Sequence, residues 1–159
     1  MKHLLSAPIV AIVAFSGLMS AQGNPNLAGN WTIDRGSVPA GRGGIAGIPL
    51  ATTLLIRVSP ADVTVESDTG SGQTVQTAVY KLDGSNNAVP GPLGWDTKAT
   101  AAWEGGNLVV TTRRSMTGPT GPMGVDVKDV YRVAGDLLTI DRSMGRVTQK
   151  LVYRKGETK

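Results

Sequence analysis

From Trp31 onward, apolar and polar side chains alternate with a period of two, the spacing of strands half buried on a core. The alternation is sharpest at 62–67, where Val63 and Val65 oppose Asp62, Thr64 and Glu66. It recurs at 146–154, where Val147, Gln149, Leu151 and Tyr153 share one face and Thr148, Lys150 and Arg154 the other. No stretch sustains the i, i+3, i+4, i+7 spacing of an amphipathic helix. The pattern predicts strands near 30–35, 52–58, 62–67, 74–82, 97–104, 107–114, 125–134, 137–142 and 146–154.

Turn chemistry says how these strands connect. The segments Trp103 to Val110 and Arg132 to Thr139 each set Gly and then Asn or Asp where a tight turn needs positive φ, followed at once by β-formers. Asp83-Gly84 ends the strand carrying Tyr80 and Leu82 in the same way. Local connections throughout predict an all-β fold, an antiparallel up-and-down β-barrel of about 8–10 strands, because closure removes the exposed edges of a long meander. A two-sheet β-sandwich is the alternative that periodicity does not separate.

Two segments break the rhythm. Residues 36–50 hold Gly36, Gly41, Gly43, Gly44 and Gly47 with Pro39 and Pro49, the composition of a mobile loop. Residues 115–124 carry two Gly-Pro-x triplets, too few for a triple helix, and read as an extended, partly polyproline loop. Long loops at barrel rims often carry function, so both are candidate binding elements.

The first residues change where the protein is expected to work. Lys2, the apolar stretch Leu4 to Leu18, and Met19-Ser20-Ala21 ahead of Gln22 read as an export signal cleaved after Ala21. An uncleaved anchor is the alternative. The stretch is broken by Ser6, Pro8, Ser16 and Gly17, and it falls short of the roughly 20 residues a spanning helix needs. The organisation is then a signal peptide at 1–21, a disordered lead-in at 22–28 and a single β-barrel domain at 29–156. No later segment is apolar enough to span a membrane, and the location is extracytoplasmic, periplasmic or secreted.

Composition narrows the chemistry. The chain has no cysteine, which removes disulfides, thiol catalysis and thiolate metal sites. Its one histidine, His3, lies inside the signal, which removes Ser-His-Asp catalysis, the usual zinc sites and histidine-ligated haem. No enzyme, cofactor or metal is expected. A formal charge of +4, one less without Lys2, is too mild to argue nucleic acid, and the Arg113-Arg114 and Arg154-Lys155 pairs suit a solvated face. Asp68-Thr69-Gly70-Ser71 matches an aspartic protease string, but without a second copy it reads as a hairpin turn. Asn30-Trp31-Thr32 fits a glycosylation acceptor but begins a strand, and Asp62, Glu66 and Asp68 describe a polar face rather than a metal site.

Asp129 stands out, because period two puts it on the apolar face with Val125, Val127, Tyr131 and Val133. A carboxylate there must be paired or hydrogen-bonded. Arg114, which follows Leu108, Val110 and Thr112 at the same period, is the candidate partner. Arg114, Asp129, Tyr131 and Tyr153 would supply the few polar groups that orient a ligand in a barrel lumen; the alternative is a buried structural pair.

Gly29-Asn30-Trp31 on the first strand, a β meander and a final Leu151-Val152-Tyr153-Arg154 resemble the calycins, the lipocalin and fatty-acid-binding-protein group of β-barrels. Tyr80 to Gly84, Trp103 to Leu108 and the terminal strand also resemble a set of secreted bacterial proteins. The calycin resemblance implies that Trp31 closes one barrel end under a basic residue near the last strand, best matched by Arg154. It implies binding of a small, partly apolar ligand without catalysis. Where fatty-acid-binding proteins place Arg-x-Tyr, this chain has Leu151-Val152-Tyr153, so Tyr153 alone matches, and 36–50 does not look like their two-helix lid. The other reading is a filled barrel acting through its loops on an envelope protein. A cavity of roughly 300 Å³ or more would favour the ligand.

Overall fold

The computed structural model describes residues 24–38, 50–70, 72 and 75–156. The expected signal at 1–21 and most of the glycine-rich connection fall outside them. Ten strands follow in order: β1 (Gly29–Ile33), β2 (Thr53–Val58), β3 (Asp62–Asp68), β4 (Gln76–Lys81), β5 (Asn87–Ala88), β6 (Asp96–Glu104), β7 (Asn107–Gly118), β8 (Gly121–Ala134), β9 (Leu137–Met144) and β10 (Val147–Lys155). They form one antiparallel sheet of order β4-β3-β2-β1-β10-β9-β8-β7-β6-β5. Every pairing is between sequence neighbours except β1 with β10, which brings the chain ends together. The result is a nearly closed barrel, and a single continuous sheet sets the sandwich aside. The remaining seam lies between β4 and β5, where the Asn87 side-chain amide donates to the Val79 carbonyl at 2.7 Å.

Three expectations are corrected. The 115–124 loop is the end of a long hairpin: Ser115 pairs with Gly124, Met116 with Met123 and Thr117 with Pro122, leaving Pro119-Thr120 as the turn. Proline is tolerated there because β9 joins β8 only from Lys128 onward, so the missing N–H of Pro122 sits in a ribbon with a free outer edge. The lead-in expected to be disordered at 22–28 contains a short 3-10 turn, Pro25–Leu27, held by burial of Leu27 and by the Trp31 Nε1–H donating to the Leu27 carbonyl at 3.0 Å. Finally, the basic residue over Trp31 is Lys155, whose Nζ is 5.6 Å from the ring centroid. Residue 155 is the one opposite Trp31 in register, while the neighbouring Arg154 pairs with Asp34 at 3.0 Å.

Because successive strands reverse direction, the turns after β2, β4, β6 and β8 gather with Leu27 at one end, the floor. The ends of β1, β3, β5, β7 and β9 lie at the other, the mouth. Inward side chains such as Ile56, Val63, Leu108, Val110, Leu138 and Leu151 fill the floor half around Trp31. The cavity lies in the mouth half.

Candidate functional site

The mouth half encloses a cavity of about 240 Å³. Leu54, Val65, Ala78 and Val127 give it apolar walls, while Tyr80, Arg114, Asp129 and Tyr131 bring polar groups. The segment Val89–Pro92 after β5 forms part of the lining. It lies tightly on β6: a Cβ on Gly91 would stand 1.9 Å from the Thr97 hydroxyl oxygen, so only glycine permits this approach.

Asp129 is not held by Arg114. Its two oxygens accept from Arg142, Nε to Oδ1 at 2.8 Å and Nη2 to Oδ2 at 2.9 Å, with the side chains only 14% and 10% exposed. Register explains the correction, since Asp129 stands opposite Arg142 on β9, whereas Arg114 stands opposite Val125. Burial opposes the charge on Arg142, but the hydrogen bonds and charge of Asp129 outweigh it and raise its pKa. Leu138, Ile140 and Arg142 recur at period two, the signal by which Arg142 was legible as inward. Ala78, Tyr80 and Leu82 carry the same signal for Tyr80.

This pairing leaves Arg114 as a cation in the cavity lining with no ion pair, its Nε buried without a hydrogen-bond partner. Burial, and then the charge of Arg142, lower its pKa. Thr97, opposite Arg114 on β6 and 4% exposed, also has an unpartnered hydroxyl. Gln149, beside Arg142 and 8% exposed, leaves both amide atoms unpartnered but does not line the cavity. Three of the four candidate residues, Arg114, Asp129 and Tyr131, thus meet around one space. Tyr153 does not: it is buried behind the wall, its hydroxyl donating to the Ala51 carbonyl at 3.1 Å. Among the described residues no group of three or more acidic, histidine or cysteine side chains is placed to hold a metal. The protease-like string is a turn, with the Asp68 carboxylate accepting from the Gly70 N–H at 2.7 Å.

All three tyrosines of the chain have depressed acidity. Burial pushes Tyr80 and Tyr153 up to about 12, and Tyr131 well above its usual value. A folded pKa above the unfolded one means that the stability from burying neutral hydroxyls is complete below about pH 10. It is lost as pH rises toward about 12. Ultraviolet titration of the folded protein is expected to show no phenolate at about pH 10. Half-ionisation of any tyrosine there would contradict the buried placement.

No protein-family model and no curated protein matches the sequence. Solved structures do match the fold. A secretory abundant heat soluble protein from Ramazzottius varieornatus is similar at TM-score 0.61 and 20% identity, over 86% of this chain and 99% of that one. A fatty acid transporter matches at TM-score 0.59 and 14% identity, over 84% and 98%. Apo lipid binding protein 8 from Caenorhabditis elegans matches at TM-score 0.56 and 11% identity, over 82% and 95%. These likenesses show a calycin-like barrel, the fold implied by the first-strand Gly-x-Trp.

Proposed function

We propose that this protein is a non-enzymatic, extracytoplasmic carrier of a small amphiphile, with the ligand's apolar part against Leu54, Val65 and Ala78 and an anionic head at Arg114. The observation that carries this reading is a guanidinium with no ion pair and an unpartnered Nε in a cavity that has both apolar and polar walls. A half-buried cation without a carboxylate is costly, and an anion supplied by a ligand removes that cost. Asp129 acts indirectly: by neutralising Arg142 it leaves one net positive charge facing the space. The names of two fold neighbours, a fatty acid transporter and a lipid binding protein, agree with an amphiphile. The export signal expected at 1–21 supports the location.

The size of the cavity limits the ligand. At 240 Å³ it lies just below the roughly 300–1,000 Å³ of common ligand sites. That suits a compact amphiphile better than a long extended acyl chain. It also weighs against a filled barrel acting only through its loops.

Native mass spectrometry of the mature protein from the exported fraction, before and after organic extraction, tests the reading. The expected result is an extractable extra mass. Arg114→Gln should weaken rebinding roughly ten- to a hundredfold, the worth of a hydrogen bond to a charged group, without lowering the melting temperature. A bare mass, with no thermal shift across a panel of anionic amphiphiles, would sink the carrier.

A further inference from the structure

The β7–β8 hairpin outruns the strands on either side of it. On one side β6 follows β7 no further than Ser115, and on the other β9 joins β8 only from Lys128 onward. The stretch of β8 from Pro122 to Asp126 is therefore a strand edge with no partner strand among the described residues. Such an edge is a template for another strand. Turn geometry decides which groups it offers. Gly118 and Gly121 flank the two-residue turn Pro119-Thr120, so they exchange hydrogen bonds, and bonded and non-bonded pairs alternate from there. Thr117 with Pro122, Ser115 with Gly124 and Arg113 with Asp126 are then non-bonded pairs, and the backbone of Pro122, Gly124 and Asp126 turns to the open side. The edge presents the carbonyls of these three residues and the N–H groups of Gly124 and Asp126.

These groups complement a second copy of themselves. When two β8 edges run antiparallel about a two-fold axis at Gly124, each Gly124 N–H donates to the other copy's Gly124 carbonyl, and each Asp126 N–H to the other's Pro122 carbonyl. Every edge donor is satisfied. The Asp126 carbonyls alone meet no donor, because proline has none, and at this exposed position water serves them.

The side chains agree with that register. Met123, 46% exposed, faces Val125 of the other copy across a closely spaced pair, which covers apolar surface now in water. On the opposite face the Arg113 guanidinium reaches from β7 over Gly124, its Nη2 3.5 Å from where a Cβ would stand. Its own pair with Asp126 is loose, at 3.3 Å with both side chains more than half exposed. The missing side chain at Gly124 leaves its way clear across the axis to Asp126 of the other copy. Arginine and carboxylate then alternate along the joined sheet.

We infer that this projecting hairpin is a self-association element, through which two copies of the chain pair β8 to β8, Gly124 on Gly124, into a closed dimer. The edge ends at the Pro119-Thr120 turn on one side and at β9 on the other, so one partner strand fills it and no filament grows. Proline and a charge on an edge usually discourage pairing. Here the proline removes one donor per copy and the charge meets Arg113.

Sedimentation of the mature protein over a rising concentration series tests this, and a reversible monomer–dimer equilibrium is expected. Gly124→Pro deletes the central donor, which the hairpin itself does not use, and should weaken association roughly thirtyfold through the two hydrogen bonds lost. Asp126→Lys brings like charges together at the axis and should weaken it about tenfold. Adding Arg113→Asp to Asp126→Lys should restore it. The melting temperature in dilute solution is expected to stay at the parent value in the charge variants, since an exposed pair contributes little. A protein that stays monomeric to millimolar concentration would overturn the inference. So would a dimer indifferent to both Gly124→Pro and Asp126→Lys, which would pair through another surface. Arg113, Gly124 and Asp126 do not line the cavity, so this result is independent of the carrier reading.

Discussion

Asp129→Ala is expected to cost about 3–5 kcal/mol of folding stability, read as a lowered urea midpoint with an unchanged slope. Small domains have only about 5–15 kcal/mol in total, so the loss is a large share. Deleting the carboxylate strips Arg142 of both hydrogen bonds while leaving its charge buried, and it exposes Arg142 and Arg114 to each other's repulsion. Much of the loss is therefore the penalty of an orphaned cation rather than the worth of the pair. The double variant Asp129→Leu with Arg142→Met removes both charges and should recover most of the loss, or exceed the parent by about 1–4 kcal/mol. An unchanged midpoint for Asp129→Ala would mean that water reaches the pair and that it does not hold β8 to β9.

Trp31→Ala should be comparably damaging, at about 3–5 kcal/mol. The ring is fully buried at the floor, its Nε1–H satisfies the Leu27 carbonyl, and Lys155 covers its face. Alanine leaves a void, orphans that carbonyl, and loosens the Pro25–Leu27 turn that plugs the end. Trp31→Phe separates these effects: it keeps most of the apolar area and loses the donor, for about 1–3 kcal/mol. The proposed ligand binding at the mouth should survive in the phenylalanine variant. Equal losses for the two variants, by urea denaturation, would show that the hydrogen bond rather than the packing holds the floor.

The inward and outward faces of the strands were legible because period two is a local property. Val63, Val65, Leu151 and Tyr153 all face inward as the alternation implied. The 115–124 segment was misread because Gly and Pro normally interrupt strands. That rule relaxes at Pro122, where no third strand competes for the N–H, and whether one does depends on where β9 ends. The pairing of charges failed for a similar reason. The sequence places Arg114, Asp129 and Arg142 all on the inner face, but which arginine meets the carboxylate depends on the offset between strands.

By itself the sequence determined the all-β class, the alternation of faces along the strands and the chemical groups at hand: Arg114, Asp129, Tyr131 and Tyr153 at core-facing positions, with no cysteine and with His3 as the one histidine. These follow from backbone alternation and composition, which need no partner strand. Tertiary structure alone decided that β1 closes on β10, that Asp129 neutralises Arg142, that Arg114 is left without an ion pair beside a 240 Å³ space, and that the β8 edge from Pro122 to Asp126 stays open. Each of these depends on register and packing between segments far apart in the chain, and a cavity is the small difference between the volume a barrel encloses and the volume its side chains fill.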